Sequence, residues 1–132
     1  MHLVDTNVLG DVARRDPTWF GWSASQLERF AETGLAVNQI ILAEISALYE
    51  TPELVEQALP STAFVRLDLP WESAFLTSRA FLTYRRAGGP RPVPMPDFYI
   101  GAHALAAGLP LITRDATRYR TYFPGLELIA PR

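Results

Sequence analysis

The chain contains no cysteine, and all 12 of its basic residues are arginine, so lysine is absent as well. Without thiols there can be no disulfide, thiolate metal site or cysteine nucleophile, and any bound metal must be held by oxygen or by the two histidines. Without lysine, mechanisms that set an ammonium beside a phosphate are excluded. A P-loop nucleotide site fails on this count and also lacks its glycine loop. Phosphoryl transfer from a strand-end aspartate, as in haloacid-dehalogenase-like phosphatases or response-regulator receivers, normally needs such a lysine too, and Asn7 stands where the phosphatase pattern expects a second Asp. No G-x-G-x-x-G follows the first apolar segment, which removes the dinucleotide fingerprint. No apolar run approaches the roughly 18 residues of a membrane span. The start, Met1-His2-Leu3-Val4-Asp5, has neither a basic leader nor a long apolar stretch, so the expected location is cytoplasmic.

What is present is a chain of 132 residues with 48% hydrophobic content, enough for one continuous core, and residues 1–132 are read as a single domain. The net charge of −2 conceals an asymmetry. Residues 1–65 carry three Arg against nine acidic residues (−6), and residues 66–132 carry nine Arg against five (+4). A basic C-terminal half suits the steering of a polyanion toward an acidic centre, and arginine is the better bidentate partner for phosphate.

Periodicity divides the chain into alternating strands and helices. His2 to Val4 reads as a short buried strand, followed by a helix opening at Thr6-Asn7 and ending near Asp16-Pro17. Phe20, Ala24, Leu27 and Ala31 mark a second helix closed by Gly34, and Leu35 to Asn38 a second strand. Ile41, Ile45, Leu48 and Tyr49 define a third helix with Glu44 at the margin of its buried face. A short helix over 52–59, a strand over Phe64–Leu67 and a long helix with Ala74, Phe75, Ser78, Phe81 and Leu82 inward come next. The Gly88–Pro96 segment admits neither helix nor central strand. Pro96 and Asp97 then open a nearly all-apolar helix, expected to lie between layers and to stop at Gly108, with strands over Leu109–Thr113 and Leu126–Ile129 completing the chain. Such alternation implies right-handed βαβ crossovers and a three-layer α/β/α sandwich around a largely parallel sheet of four to five strands.

Four acids stand out against this frame. Asp5 and Asp115 follow strands, Glu44 lies less than two helical turns beyond the second strand, and Asp97 sits in the first turn of its helix. In a parallel sheet, functional groups collect at the carboxyl edge. Carboxylates brought to about 5 Å would repel by roughly 3 kcal/mol per ionised pair at an effective dielectric near 20. Six such pairs amount to on the order of 20 kcal/mol, which proton uptake or a cation must offset. Oxygen ligands without sulfur select Mg²⁺ or Mn²⁺. Singly, each acid has an ordinary structural reading: Asp5 as a helix cap, Asp97 as a helix-dipole acid, Asp115 as a turn former, Glu44 as a surface residue. Their joint position at one sheet edge is what singles them out.

The start Leu-Val-Asp-Thr-Asn, the Glu after strand two, the helix start Pro-Asp-Phe-Tyr-Ile-Gly-Ala and the Leu-Ile-Thr-Arg-Asp segment resemble the PIN-domain family, and more narrowly the VapC toxins of toxin–antitoxin pairs. The resemblance runs through essentially the whole chain. It implies a metal-dependent endoribonuclease that hydrolyses RNA phosphodiesters, with Asp5, Glu44, Asp97 and Asp115 as catalytic residues holding Mg²⁺ or Mn²⁺. Asp115 stands at the position that varies most in such domains. Thr6, Asn7 and Thr113 match the polar residues beside the carboxylates. The implied partners are an RNA substrate and a cognate antitoxin protein, with room for a homodimer. A maturation nuclease, or a silent metal- or RNA-binding module, would share the same motifs.

Arg85, Arg86, Arg91, Arg114 and Arg118 are the candidate RNA contacts, since they flank Asp97 and Asp115 in sequence. His103, six residues beyond Asp97, faces the opposite side of that helix and is read as a core or surface residue. Trp19, Phe20 and Trp22 are too dense to enter one core together, and the family resemblance implies that one or more lies in a groove that receives an antitoxin segment.

Overall fold

The computed structural model describes all residues from Met1 to Arg132. Five parallel strands form one sheet in the order β3-β2-β1-β4-β5, namely β1 (His2–Val4), β2 (Leu35–Val37), β3 (Phe64–Arg66), β4 (Leu111–Ile112) and β5 (Leu128–Ile129). Leu3 pairs with Ala36 on one side and with Leu111 on the other, so β1 is central. Neighbouring residues of a strand point to opposite faces, yet Leu3, Val4, Leu35, Ala36, Val37, Leu111 and Ile112 are all buried. Helices therefore cover both faces, as expected for an α/β/α sandwich.

Seven helices join the strands: α1 (Thr6–Ala13), α2 (Phe20–Phe30), α3 (Gln39–Ser46), α4 (Pro52–Ala58), α5 (Ser73–Arg86), α6 (Pro96–Ala107) and α7 (Thr117–Tyr122). From β1 the chain crosses to β2 and on to β3 in one direction, whereas β4 leads to β5 in the other. The direction of winding thus reverses between β1 and β4, which is where a doubly wound sheet opens a crevice beyond its strand ends.

Most expected elements form, with instructive differences. The first helix stops at Ala13, short of Asp16-Pro17, because Arg15 takes a left-handed conformation (φ 49°) that no helix can continue. Gly108 ends α6 as expected, with φ 65° and its backbone N–H on Leu105. Strands β4 and β5 are two residues each, shorter than their apolar segments. On α5 the expected inner face holds only in part: Phe81 packs on the core beside Phe98, but Phe75 and Leu82 are exposed, and Ser73, Thr77, Ala80 and Tyr84 are buried. Small side chains let α5 approach α6 closely. The Thr77 hydroxyl is satisfied by the Ser73 carbonyl, and Phe75 lies under the Arg79 guanidinium at 4.6 Å.

Helix α7 was not foreseen. It is a single polar stretch, Thr-Arg-Tyr-Arg-Thr-Tyr, with no side-chain cap, and it forms because Tyr119 and Phe123 bury against α6. Gly101 makes that possible, since a Cβ there would lie 2.5 Å from the Phe123 ring and 3.1 Å from the Tyr119 ring. No helix is long and apolar enough to cross a membrane.

Candidate active site

The crevice beside the β1/β4 switch point is an open cleft of about 460 Å³ lined by Asp5, Asn7, Tyr84, Asp97, Asp115, Thr117, Arg118, Thr121 and Tyr122. Three of the four sequence-predicted acids thus share one cavity. Asp5 is carried there by β1, Asp97 by the first turn of α6, and Asp115 by the loop after β4.

Asp5 is the most constrained of the three. It is only 4% exposed, and every hydrogen bond it accepts comes from a neutral donor. Its Oδ1 accepts the Thr6 backbone N–H (2.8 Å), so it does cap α1 as its ordinary reading required. Its Oδ2 accepts the hydroxyls of Thr113 (2.8 Å) and Tyr119 (2.9 Å). Burial first, and the nearby Asp97 charge second, push the Asp5 pKa up from 3.8 to about 7, against the pull of those three donors. The Tyr119 hydroxyl is in turn held well above its ordinary range, chiefly by burial and then by the charges of Asp5, Asp97 and Glu44.

The predicted supporting residues form a chain around this carboxylate. Thr113 donates to Asp5 while accepting from the Asn7 amide (3.2 Å) and the Asp115 backbone N–H (3.2 Å). The Asn7 carbonyl oxygen accepts the Arg114 backbone N–H at 3.3 Å, which ties the start of α1 to the loop bearing Asp115. Asp115 itself is exposed, with a long contact from the Thr117 N–H at 3.5 Å.

Glu44 is not at the buried margin of α3 but exposed, and it does not line the cleft. It reaches the site through Thr6, whose hydroxyl donates to Glu44 Oε1 at 2.7 Å. No three acidic or histidine side chains are gathered closely enough to hold a metal ion in this arrangement. The donor set still fits a hard cation, because it is all oxygen and contains a buried carboxylate with no cationic partner of its own. Asp97, by contrast, is occupied: its Oδ2 accepts from Arg118 Nη1 at 2.9 Å.

Of the five candidate RNA-contacting arginines, only Arg118 lines the cleft. Arg114 turns away from it, giving its Nε to both oxygens of the buried Asp11 (3.0 and 2.9 Å), which also accepts the Ser23 hydroxyl. Arg85 braces the Gly-Pro loop through the carbonyls of Gly89 and Arg91 (3.1 Å each), while Arg86 and Arg91 are exposed. His103 is in the core, where its Nδ1 accepts the Asn38 amide at 2.9 Å, and burial lowers its pKa. Trp19, Phe20 and Trp22 are all half-buried; Trp19 and Trp22 meet edge to face, with Arg114 over Trp19 and Arg15 over Phe20. The tryptophan that does stand free is Trp71, 92% exposed. Tyr119 and Asp11 escaped the sequence reading. The available signals were a Tyr four residues beyond Asp115 and an Asp one turn past Asn7 on α1, neither of which is distinctive without the packing that uses it.

Fold and cleft together define a parallel α/β domain with an acidic centre at its topological switch point. The chain belongs to the PIN domain family, whose model matches residues 2–124. Solved structures share the fold at low identity. VapBC2 from Rickettsia felis, solved bound to a DNA fragment from its promoter, superposes with a TM-score of 0.75 at 19% identity, covering 99% of this chain and 98% of that one. VapBC-1 from nontypeable Haemophilus influenzae gives 0.74 at 18%, covering 98% and 96%. VapBC-5 from Mycobacterium tuberculosis, described as a member of the VapBC family of toxin-antitoxin systems, gives 0.59 at 22%, covering 99% and 97%. No curated protein matches the chain.

Proposed function

We propose that the protein is a Mg²⁺- or Mn²⁺-dependent endoribonuclease, the toxin of a toxin–antitoxin pair, acting in the cytoplasm and restrained there by a cognate antitoxin protein. The observation that carries the nuclease reading is Asp5: a buried carboxylate without a counter-charge that shares a cleft with Asp97 and Asp115. Such a group is destabilising unless a cation joins it. The toxin reading draws on the PIN family and on toxin–antitoxin proteins among the chains of like fold.

Asp5, Asp97 and Asp115 would hold the ion, with Glu44 nearest to them through Thr6. When bound, Mg²⁺ or Mn²⁺ supplies Lewis-acid activation of water and neutralises charge on the phosphate. Thr113 and Tyr119 fix the Asp5 carboxylate in one orientation, which a ligand must have before it can bind a small cation without ordering cost. Asn7 keeps the Asp115 loop in register with α1. The cleft is open, which suits an extended polyanion, and the hydroxyl of Thr117 offers a neutral donor to its phosphates, whereas that of Thr121 is spent on the Thr117 carbonyl at 2.9 Å.

Purified protein incubated with mixed RNA in Mg²⁺ or Mn²⁺ is expected to cleave it, with Asp5→Asn at least about a hundredfold slower. No cleavage in either metal, or equal cleavage by the variant, would overturn the nuclease reading. Co-purification of a short protein encoded beside this one, with suppression of cleavage on mixing, is expected of a toxin. Cleavage without any such inhibitor would mark a maturation nuclease.

A further inference from the structure

Arg118 occupies an unusual place for a surface arginine. It is the one basic side chain lining the acidic cleft, and its guanidinium donates to Asp97. Its reach is set by the fold. The next residue, Tyr119, is 1% exposed and bonded to Asp5, and α7 is seated on α6 through the space left by Gly101. The Arg118–Asp97 contact therefore spans α7 and the first turn of α6 at 2.9 Å, in the same cleft as the carboxylate that lacks a cation.

We infer that Arg118 is a resident counter-ion of the cleft that competes with a divalent cation for Asp97, so that metal binding proceeds by exchange of the guanidinium for the metal at that carboxylate. This rests on the metal-centre reading above. Two features make the pair an exchangeable one. Its side chains are 40% and 35% exposed, so it is a weak, solvated contact that a doubly charged ion can displace. It also reaches only one carboxylate oxygen, whereas the Nε of Arg114 is shared between both oxygens of an Asp11 that is 3% exposed. Arg118 is accordingly a positioning residue whose removal should improve metal binding, the reverse of what loss of a ligand would do.

The test is calorimetric titration of Mn²⁺ into the whole protein at low salt, without RNA, for wild type, Arg118→Ala, Arg118→Gln and Arg118→Lys. Arg120→Ala, which removes an exposed charge from the same helix, serves as control. The two neutral variants are expected to bind Mn²⁺ about five- to tenfold more tightly, with Arg118→Lys near wild type and Arg120→Ala within about twofold of it. Having two neutral variants guards against one that misfolds. Unchanged or weaker binding by both, tightening by Arg118→Lys equal to theirs, or the same gain in Arg120→Ala would overturn the inference. If wild type and variants all bind but equally, the metal centre stands and the exchange falls. If none binds Mn²⁺, both fall together.

Discussion

Two buried aspartates six residues apart on the same segment have opposite surroundings. Asp11, 3% exposed, is enclosed by the Arg114 guanidinium on both oxygens and by the Ser23 hydroxyl. Asp5, 4% exposed, receives one backbone N–H and two hydroxyls and no cation at all. The first is a finished ion pair that ties α1 and α2 to the loop after β4. The second is unfinished, and its pKa of about 7 is the measure of what it lacks. Burial alone does not distinguish the two aspartates; partner charge does.

The strongest way to probe this contrast is pH. The folded pKa of Asp5 lies above its unfolded value of 3.8, so between about pH 4 and 7 the folded state holds more protons than the unfolded one. Stability is thus favoured below about pH 4 and declines as pH rises to about 7, where the full penalty of the buried charge, roughly 4 kcal/mol, is in place. Metal-free Asp5→Asn should lose that dependence and, above pH 7, melt higher than wild type in thermal denaturation. A variant whose pH profile parallels wild type would show that Asp5 carries no such penalty.

Next in size, Arg114→Ala should leave Asp11 buried beside a single hydroxyl and cost about 2 to 3 kcal/mol in urea unfolding, moderated because the guanidinium is partly solvated. An unchanged unfolding midpoint would erase the distinction between the two sites. The smallest effect is expected of Tyr119→Phe, which removes one donor from Asp5 at a cost of about 1 to 2 kcal/mol at pH 8. Because that donor lowers the Asp5 pKa, the variant's titration, followed by carboxyl NMR, should move upward; a downward shift would contradict the bond.

Elements with strong local signals were legible in the chain. The short buried strand before Asp5, the Gly-Pro interruption before α6 and the Gly108 stop all follow from periodicity and backbone preference, whereas Asn38, read as the end of the second strand, caps α3 instead. The apolar face of α5 was misread because large side chains suggested the interior, whereas close helix approach requires small ones and leaves Phe75 to pair with Arg79. Helix α7 has no sequence signature and exists through Gly101. At the site, Asp5 and Asp115 could be placed at one sheet edge from their positions after strands, and Asp97 from its place in the first turn of α6; all three line one cleft. The standing of Glu44 could not, since its place at the margin of the α3 apolar face did not reveal that it is exposed and meets the site only through Thr6.

By itself, then, the sequence determined the donor chemistry and the order of elements. It has oxygen ligands and no thiol, arginine and no lysine, and acids following apolar segments that alternate with helices, all consequences of residue type and backbone hydrogen-bond geometry. Tertiary structure alone decided which arginine meets which aspartate. Arg114 and Arg118 are four residues apart and chemically identical, yet one completes Asp11 and the other rests on Asp97. That choice depends on where α7 seats against α6 and on a loop bound to Asn7, contacts between segments remote in sequence that only the packed chain brings together.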